Sequence, residues 1–136
     1  MTSSPVDIVI VSFNTREDTL RCLASLAQPG ARPPGSILVV DNASTDGTVD
    51  AIRRAHADVD VVALDRNAGF GAANNVAIRQ ATAPLVLLLN SDTLVPADAI
   101  GRLVERLEST DSVAAGPRLV DADGRPEVSF GAMLSP

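Results

Sequence analysis

Lysine is absent: all eleven basic side chains of this 136-residue chain are arginine. That excludes a P-loop ATPase, which needs its phosphate-binding lysine. It excludes Schiff-base chemistry, which needs the amine. It also excludes a receiver domain, which pairs a lysine with its phosphorylated aspartate. Cys22 is the one cysteine, so no internal disulfide can form, and it reads as a small hydrophobe on a helix. His56 is the one histidine and sits in the polar stretch RRAHADVD. A Ser-His-Asp triad or a histidine-rich metal site has little to draw on. Trp and Tyr are missing, so only Phe13, Phe70 and Phe130 could stack on a base.

The net charge is −6 and there is no basic run, which excludes duplex nucleic acid as a partner. No apolar run is long enough to span a bilayer. The N-terminus, MTSSPVDIVIV, lacks the basic residue and cleavage site of a secretory signal. The expectation is a cytoplasmic protein with no transmembrane segment, peripheral at the inner face of a membrane at most. Hydrophobic residues make up 46%, enough for a core.

What is present alternates between two periods. Residues 6–13, VDIVIVSF, are β-branched and apolar and predict a buried strand. Thr15 offers an N-cap to a helix over 16–27, with Leu20, Leu23, Ala24 and Ala27 at helical spacing. After the loop QPGARPPG come a strand at 37–40, a helix capped by Ser44 or Thr45 and ending near 55, and a strand at 59–64. A helix over 71–81 stops before Pro84. A strand at 85–89 and a helix over 96–107 follow. A fifth strand is expected at 113–115, then a β-hairpin over 117–130 turning at Asp123-Gly124. The fold class implied is α/β: one domain, 1–136, with a mostly parallel sheet, helices on both faces and a closing hairpin.

The first four strands each end on polar groups: Ser12-Phe13-Asn14, Asp41-Asn42, Asp65-Arg66-Asn67 and Asn90-Ser91-Asp92. Parallel sheets bind ligands at the carboxyl ends of their strands, so the four clusters should share one edge. Loops are polar anyway, and these residue types also make turns and caps. Four such endings in one chain weigh toward a site. Carboxylates without lysine or histidine suit a hard divalent cation, Mg2+ or Mn2+. A lone Asp92 with Asn90 binds such a cation weakly, and ligand phosphates complete the shell. The inference is a diphosphate ligand, hence a nucleotide.

A rival pattern is Gly69-Phe70-Gly71-Ala72-Ala73-Asn74, which nearly spells G-x-G-x-x-G and opens a helix, with Asp92 about twenty residues on. It departs at Asn74, follows the third strand rather than the first, and is separated from its strand by DRNAG. Gly69 and Gly71 either let a ligand approach the backbone or make a turn.

VSFN (11–14), VVDNASTDGT (39–48), NAGFGAANN (67–75) and LLLNSD (87–92), in this order, resemble glycosyltransferase family 2. These are inverting sugar-nucleotide transferases with the Rossmann-like GT-A fold, and the nearest likeness is to a bacterial rhamnosyltransferase-like branch. The resemblance covers about 6–136. It implies a nucleotide-diphosphate sugar, linked to UDP, dTDP or GDP, as donor, with a hexose such as rhamnose transferred to a hydroxyl of a polysaccharide or glycolipid of the cell envelope. It places Asp41 and Asn42 at the nucleoside, where many members carry Asp-Asp. Ser12, through its backbone, and Asn14 would line the same pocket. Asp65, Asn67, Gly69, Gly71 and Asn74 would flank the ribose and diphosphate. Asn90-Ser91-Asp92 takes the place of the D-x-D metal motif, leaving Asp92 as the metal carboxylate.

The family draws its catalytic base and acceptor-binding elements from a later half. Here only 44 residues follow Asp92, and seven acids among them fall in the last helix, its end or the hairpin. None is assigned as the base. The expectation is a truncated donor-binding half with apolar edges prone to self-association. Two other readings stay open: a non-catalytic nucleotide-binding or interaction module, and a dinucleotide-dependent oxidoreductase.

Overall fold

The structure, a computed structural model, describes residues 5–127. The chain divides into two compact units, Met1–Gly101 and Arg102–Pro136.

In the first unit the β-branched stretches form parallel strands β1 (Val6–Ser12), β2 (Ile37–Asp41), β3 (Asp60–Ala63) and β4 (Leu85–Asn90), in the order β3-β2-β1-β4. Between them run α1 (Arg16–Leu26), α2 (Thr48–Ala55) and α3 (Phe70–Ile78). Side chains alternate across a strand. Val9, Leu38 and Val40 therefore share one face, where they pack against Ala73 and Ala77 of α3. Ile8, Ile10 and Val39 point the other way and are fully buried. On that side α1 and α2 pack on each other and supply Cys22, Leu23 and Ile52, equally buried. Each such aliphatic side chain contributes about 1.5–3 kcal/mol.

The strand calculus of the sequence errs at the two edges. β3 is half exposed, because only one neighbour pairs with it. The unbroken run of β4 predicts burial on both faces, yet the strand alternates, with Val86 and Leu88 exposed. The register Val9↔Leu88 puts these on the α3 face, and α3 reaches β1 and β2. A continuous apolar run records that a strand can be covered twice; strand order decides whether it is.

The cap of α2 also differs. The helix starts at Thr48 behind Gly47 (φ 81°), and the Thr48 N–H donates to Asp46, not to Ser44 or Thr45. Thr15 occupies the N-cap of α1 without a capping bond; the Arg16 N–H donates instead to Asp46 Oδ2 at 3.0 Å. Asp46 thus ties two helix N-termini together, and the Thr48 hydroxyl, followed by the Arg16 and Thr48 N–H groups, holds its carboxyl below the usual range despite some burial.

In β1, the buried Asp7 accepts the N–H groups of Thr82 (2.8 Å) and Ala83 (2.9 Å), pinning the turn before β4. Burial pushes its carboxyl up, but the N–H groups of Ala83 and Thr82 and the Ser36 contacts outweigh this and hold it below the ordinary value of 3.8. A carboxyl depressed by folding stabilises above its unfolded pKa, and that contribution is lost as pH falls through the folded pKa. Asp7→Ala should cost about 1–3 kcal/mol at neutral pH, for two N–H groups left without a partner. The difference from the parent should shrink in urea melts as pH drops below 4. An equal difference at every pH would show that the carboxylate charge plays no part.

The helix α4 (Ala99–Glu108) begins in the first unit and ends in the second, with Val104 buried. The expected fifth strand at 113–115 does not form: Val113 is fully exposed, and three residues without a partner strand have no ladder to join. Of the expected hairpin, the described residues show one antiparallel bridge, Val120↔Pro126. Its turn is as expected, with Gly124 at φ 78° and Asp121 Oδ1 accepting the Asp123 and Arg125 N–H groups. Residues 128–130 of that hairpin lie outside the described residues. No described helix is long and apolar enough to cross a membrane.

Candidate functional site

Because the four strands are parallel, their carboxyl ends lie along one edge, and hydrogen bonds join the four loops there. The Thr15 and Ser91 hydroxyls, 3.2 Å apart, link the loops after β1 and β4. The Asn14 N–H donates to Ser44 Oγ at 2.8 Å, and Asn14 Oδ1 accepts the Thr45 N–H at 2.8 Å, linking β1 to β2. Asn42 Oδ1 accepts the Ala68 N–H at 3.1 Å, and its amide nitrogen donates to the Gly69 carbonyl at 3.4 Å, linking β2 to β3. All the strand endings singled out in the sequence are thus brought together.

They divide into two groups. The first is committed to holding the edge. Asp41, 1% exposed, accepts the Ser12 hydroxyl (2.9 Å), the Ser44 hydroxyl (2.6 Å) and the Ser44 N–H (2.8 Å). Its bonds close the turn through Ala43, which takes φ 63° without being glycine. Ser12 is fully buried against Asp41, so its side chain does not face a ligand, and its carbonyl accepts the Asn42 N–H at 2.8 Å. Asn14, at φ 50°, and Asn42 hold neighbouring loops as described. Asn74 is buried and donates back to the Phe70 carbonyl at 3.0 Å within α3.

The second group is exposed: Asp65, Asn67, Gly69, Gly71, Asn90 and Asp92. Asn67 Oδ1 turns back to accept the Gly69 N–H at 2.9 Å. Gly69 has φ 87° and ψ 164°, a conformation open to glycine alone. A Cβ on Gly71 would meet nothing within 4 Å, so the space above the start of α3 is open. A groove of about 310 Å³ lies beside this loop, between Asp65, Arg66 and the flank of α3 at Asn75 and Arg79.

Asp92 is exposed at the end of β4, and no group of three or more His, Cys, Asp or Glu that could hold a metal occurs among the described residues. One carboxylate and the Asn90 amide oxygen are hard donors that fit Mg2+ or Mn2+ as part of a shell whose other oxygens come from ligand phosphate and water. Beneath them, the Cys22 thiol lies 3.7 Å from the Asn90 carbonyl. Burial and the Asp92 charge push that thiol up to about 11, so it stays protonated at neutral pH. It is a packing group, as the sequence implied.

Sequence reasoning missed Ser44 and Asp46 as organisers of the edge. The signal was there in DNASTDGT, but each residue type is also an ordinary cap.

A parallel four-stranded sheet with helices is the architecture this chain shares with GT-A neighbours. A solved mannosyltransferase from Pyrobaculum calidifontis, in complex with GDP-Man and Mn2+, matches with a TM-score of 0.66 and 28% identity over 77% of this chain and 32% of its own. The chain belongs to glycosyl transferase family 2, whose model matches residues 7–130. An N-acetylglucosaminyltransferase of Bradyrhizobium elkanii is 32% identical over 120 residues, 85% of this chain and 66% of its own length. The succinoglycan biosynthesis protein ExoO of Rhizobium meliloti is 35% identical over 125 residues, 88% of this chain and 35% of its own length. The chain thus spans about a third of the length of ExoO and of the mannosyltransferase.

Proposed function

We propose that this chain is the donor-binding portion of an inverting glycosyltransferase that takes a nucleotide-diphosphate sugar with Mg2+ or Mn2+. The supporting observation is the bonded edge itself. Asp41, Ser12, Asn14 and Ser44 hold the loops rigidly, while Asp65, Asn67, Asn90 and Asp92 stay exposed above them. Asp65 and Asn67 face the nucleoside end of the ligand. Gly69 and Gly71 let the diphosphate approach the backbone, and Asn74 supports that turn from within α3. Asp92 and Asn90 hold the cation at the diphosphate, where a bound metal offsets the negative charge of a leaving group. The catalytic base and the acceptor site are not assigned to these residues.

The sugar is a hexose. Rhamnose follows the likeness of the sequence motifs, while the names of the relatives point to N-acetylglucosamine and mannose. A hydroxyl of an envelope polysaccharide or glycolipid is the acceptor, and the name of the Rhizobium protein supports this. The place of work is the cytoplasm or the inner face of the membrane.

Calorimetric titration of UDP, dTDP and GDP, with and without Mn2+, tests this reading. Metal-dependent binding of one of them is expected, and no binding to the folded chain would overturn it. Gly71→Ala gives a sharper test. With open space above it, alanine should raise stability by about 0.5 kcal/mol. It should nevertheless weaken nucleotide binding, by placing a methyl where the diphosphate comes close. Unchanged affinity would remove the close approach.

The exposed Val86 and Leu88 favour a second property, self-association through the apolar face of β4. Sedimentation of the chain beside Leu88→Lys checks it; two monomers would dispose of it. With membership of the family in hand, no observation favours the dinucleotide oxidoreductase.

A further inference from the structure

We propose that Thr19, fully buried in α1, is a positioning residue for the cation site: through a chain of three hydroxyls, Thr19, Thr15 and Ser91, it fixes the turn that presents Asp92. This rests on the cation role given to Asp92 above.

The direction of the chain follows from its protons. A hydroxyl has one proton to donate and two lone pairs that accept. The Thr19 hydroxyl donates to the Thr15 carbonyl at 2.7 Å. In its contact with the Thr15 hydroxyl, at 3.1 Å, it is therefore the acceptor. That uses the Thr15 proton, so in the 3.2 Å contact between Thr15 and Ser91 it is Ser91 that donates. Ser91 adjoins Asp92, and the chain that orients it ends on a side chain 0% exposed, out of reach of any ligand.

Thr15 forgoes another bond to do this. It stands at the N-cap of α1, where a threonine oxygen ordinarily accepts an N–H of the first turn, and it makes no such bond. It bonds instead across seventy-six positions to Ser91. The Thr15 carbonyl also accepts the Thr19 N–H at 2.8 Å, so the helix closes here without the Thr19 hydroxyl. The hydroxyl is redundant for the helix and required for the chain.

The same side of α1 supports the rest of the turn. β4 is an edge strand, paired on one side only. Beyond it the Thr93 N–H donates to the Asn90 carbonyl at 3.2 Å, and the Cys22 thiol lies against that carbonyl. Ser25 Oγ accepts the Val95 N–H at 3.0 Å, and Gln28 Nε2 donates to the Val95 carbonyl at 2.6 Å. Positions 15, 19, 22, 25 and 28 stand three and four apart, the spacing of one helix face. The backbone is thus held on both sides of Asp92, while its carboxylate is exposed. A lone carboxylate holds a cation best when its place is set before binding, since ordering it then takes nothing from the affinity.

Thr19→Val keeps the shape of the side chain and removes the hydroxyl, and Thr19→Ser keeps the hydroxyl. In the ligand-free protein, amide hydrogen exchange at Thr93 should quicken by about tenfold in Thr19→Val, the equivalent of one net hydrogen bond, and return toward the parent rate in Thr19→Ser. Melting temperature is the control for the fold. Unchanged exchange would overturn the proposal whether or not any nucleotide binds, so it fails separately from the donor-site reading.

Calorimetry with UDP, dTDP and GDP, with and without Mn2+, then reads the site. Thr19→Val should weaken the Mn2+-dependent binding by about tenfold and leave binding without metal unchanged, and Thr19→Ser should restore it. A loss of equal size with and without metal would mark a merely structural role and overturn the proposal, as would no loss. Ser91→Ala cuts the chain at its other end and remains informative if Thr19→Val does not fold. It should match Thr19→Val, and the double variant should lose no more than either alone, because both act along one path. Additive losses would show two independent effects and overturn it. Absence of metal-dependent binding in the parent would remove the cation role, and the proposal with it, while the exchange result stands.

Discussion

Asp92→Ala is expected to remove metal-dependent nucleotide binding while leaving the fold intact. The carboxylate is exposed, and among the described residues no bond of its side chain holds another element in place. Its loss should therefore shift the melting temperature very little; surface substitutions away from structural features fall within about 0.5 kcal/mol. Its effect on binding should be large because no group of three or more potential metal ligands occurs among the described residues to share the hold on the cation. Where one carboxylate is the protein's main hold on the cation, losing it should weaken binding by about a hundredfold, or 2.7 kcal/mol. Without Mn2+ the variant and the parent should bind equally. That comparison isolates the metal. Equal affinities with metal present would remove Asp92 from the role.

Asp41→Ala is expected to give the largest loss of stability. The side chain is 1% exposed and accepts three hydrogen bonds at 2.6–2.9 Å. Alanine leaves the Ser12 hydroxyl buried without that partner and frees the Ser44 hydroxyl and N–H. Each stranded buried group costs about 1–3 kcal/mol, so a total near 4 kcal/mol is expected, much of the margin of an ordinary domain. The turn through Ala43, at φ 63°, loses the bonds that hold it as well. Urea unfolding measures the effect. Asp41→Asn should retain part of the stability, because its amide oxygen still accepts one hydroxyl. A loss below about 1 kcal/mol for Asp41→Ala would mean that water replaces the carboxylate, and that the residue is free to serve a ligand instead.

The two variants separate roles that look alike in the sequence. Asp41 and Asp92 are both acids at the end of an apolar strand. One is buried and organises the edge, and the other is exposed above it. Asn14 and Asn42 read as ligand contacts in the same way, and their side chains bond to neighbouring loops. A side chain's type states what it can bond; its partner depends on which strand ends stand next to each other.

By itself the sequence determined the alternation of strands and helices, the polar ending of each strand, and the absence of lysine and histidine chemistry. These are local properties. Periodicity of two against 3.6, Gly and Pro at breaks, and composition act within a few residues, so they are legible along the chain. It also determined the family, since four motifs stand in one order between residues 11 and 92. Tertiary structure alone decided the order β3-β2-β1-β4, and hence that β3 and β4 are edges, with Val86 and Leu88 of β4 exposed. It alone decided that Val113 stays exposed outside any ladder, and that Asp46 caps two helices. Each of these depends on a partner distant in sequence. Asp46 meets Arg16 across thirty positions, and Asn42 meets Ala68 across twenty-six. No local pattern carries that information, because hydrogen bonds between loops are set only once the strands have lined up beside one another.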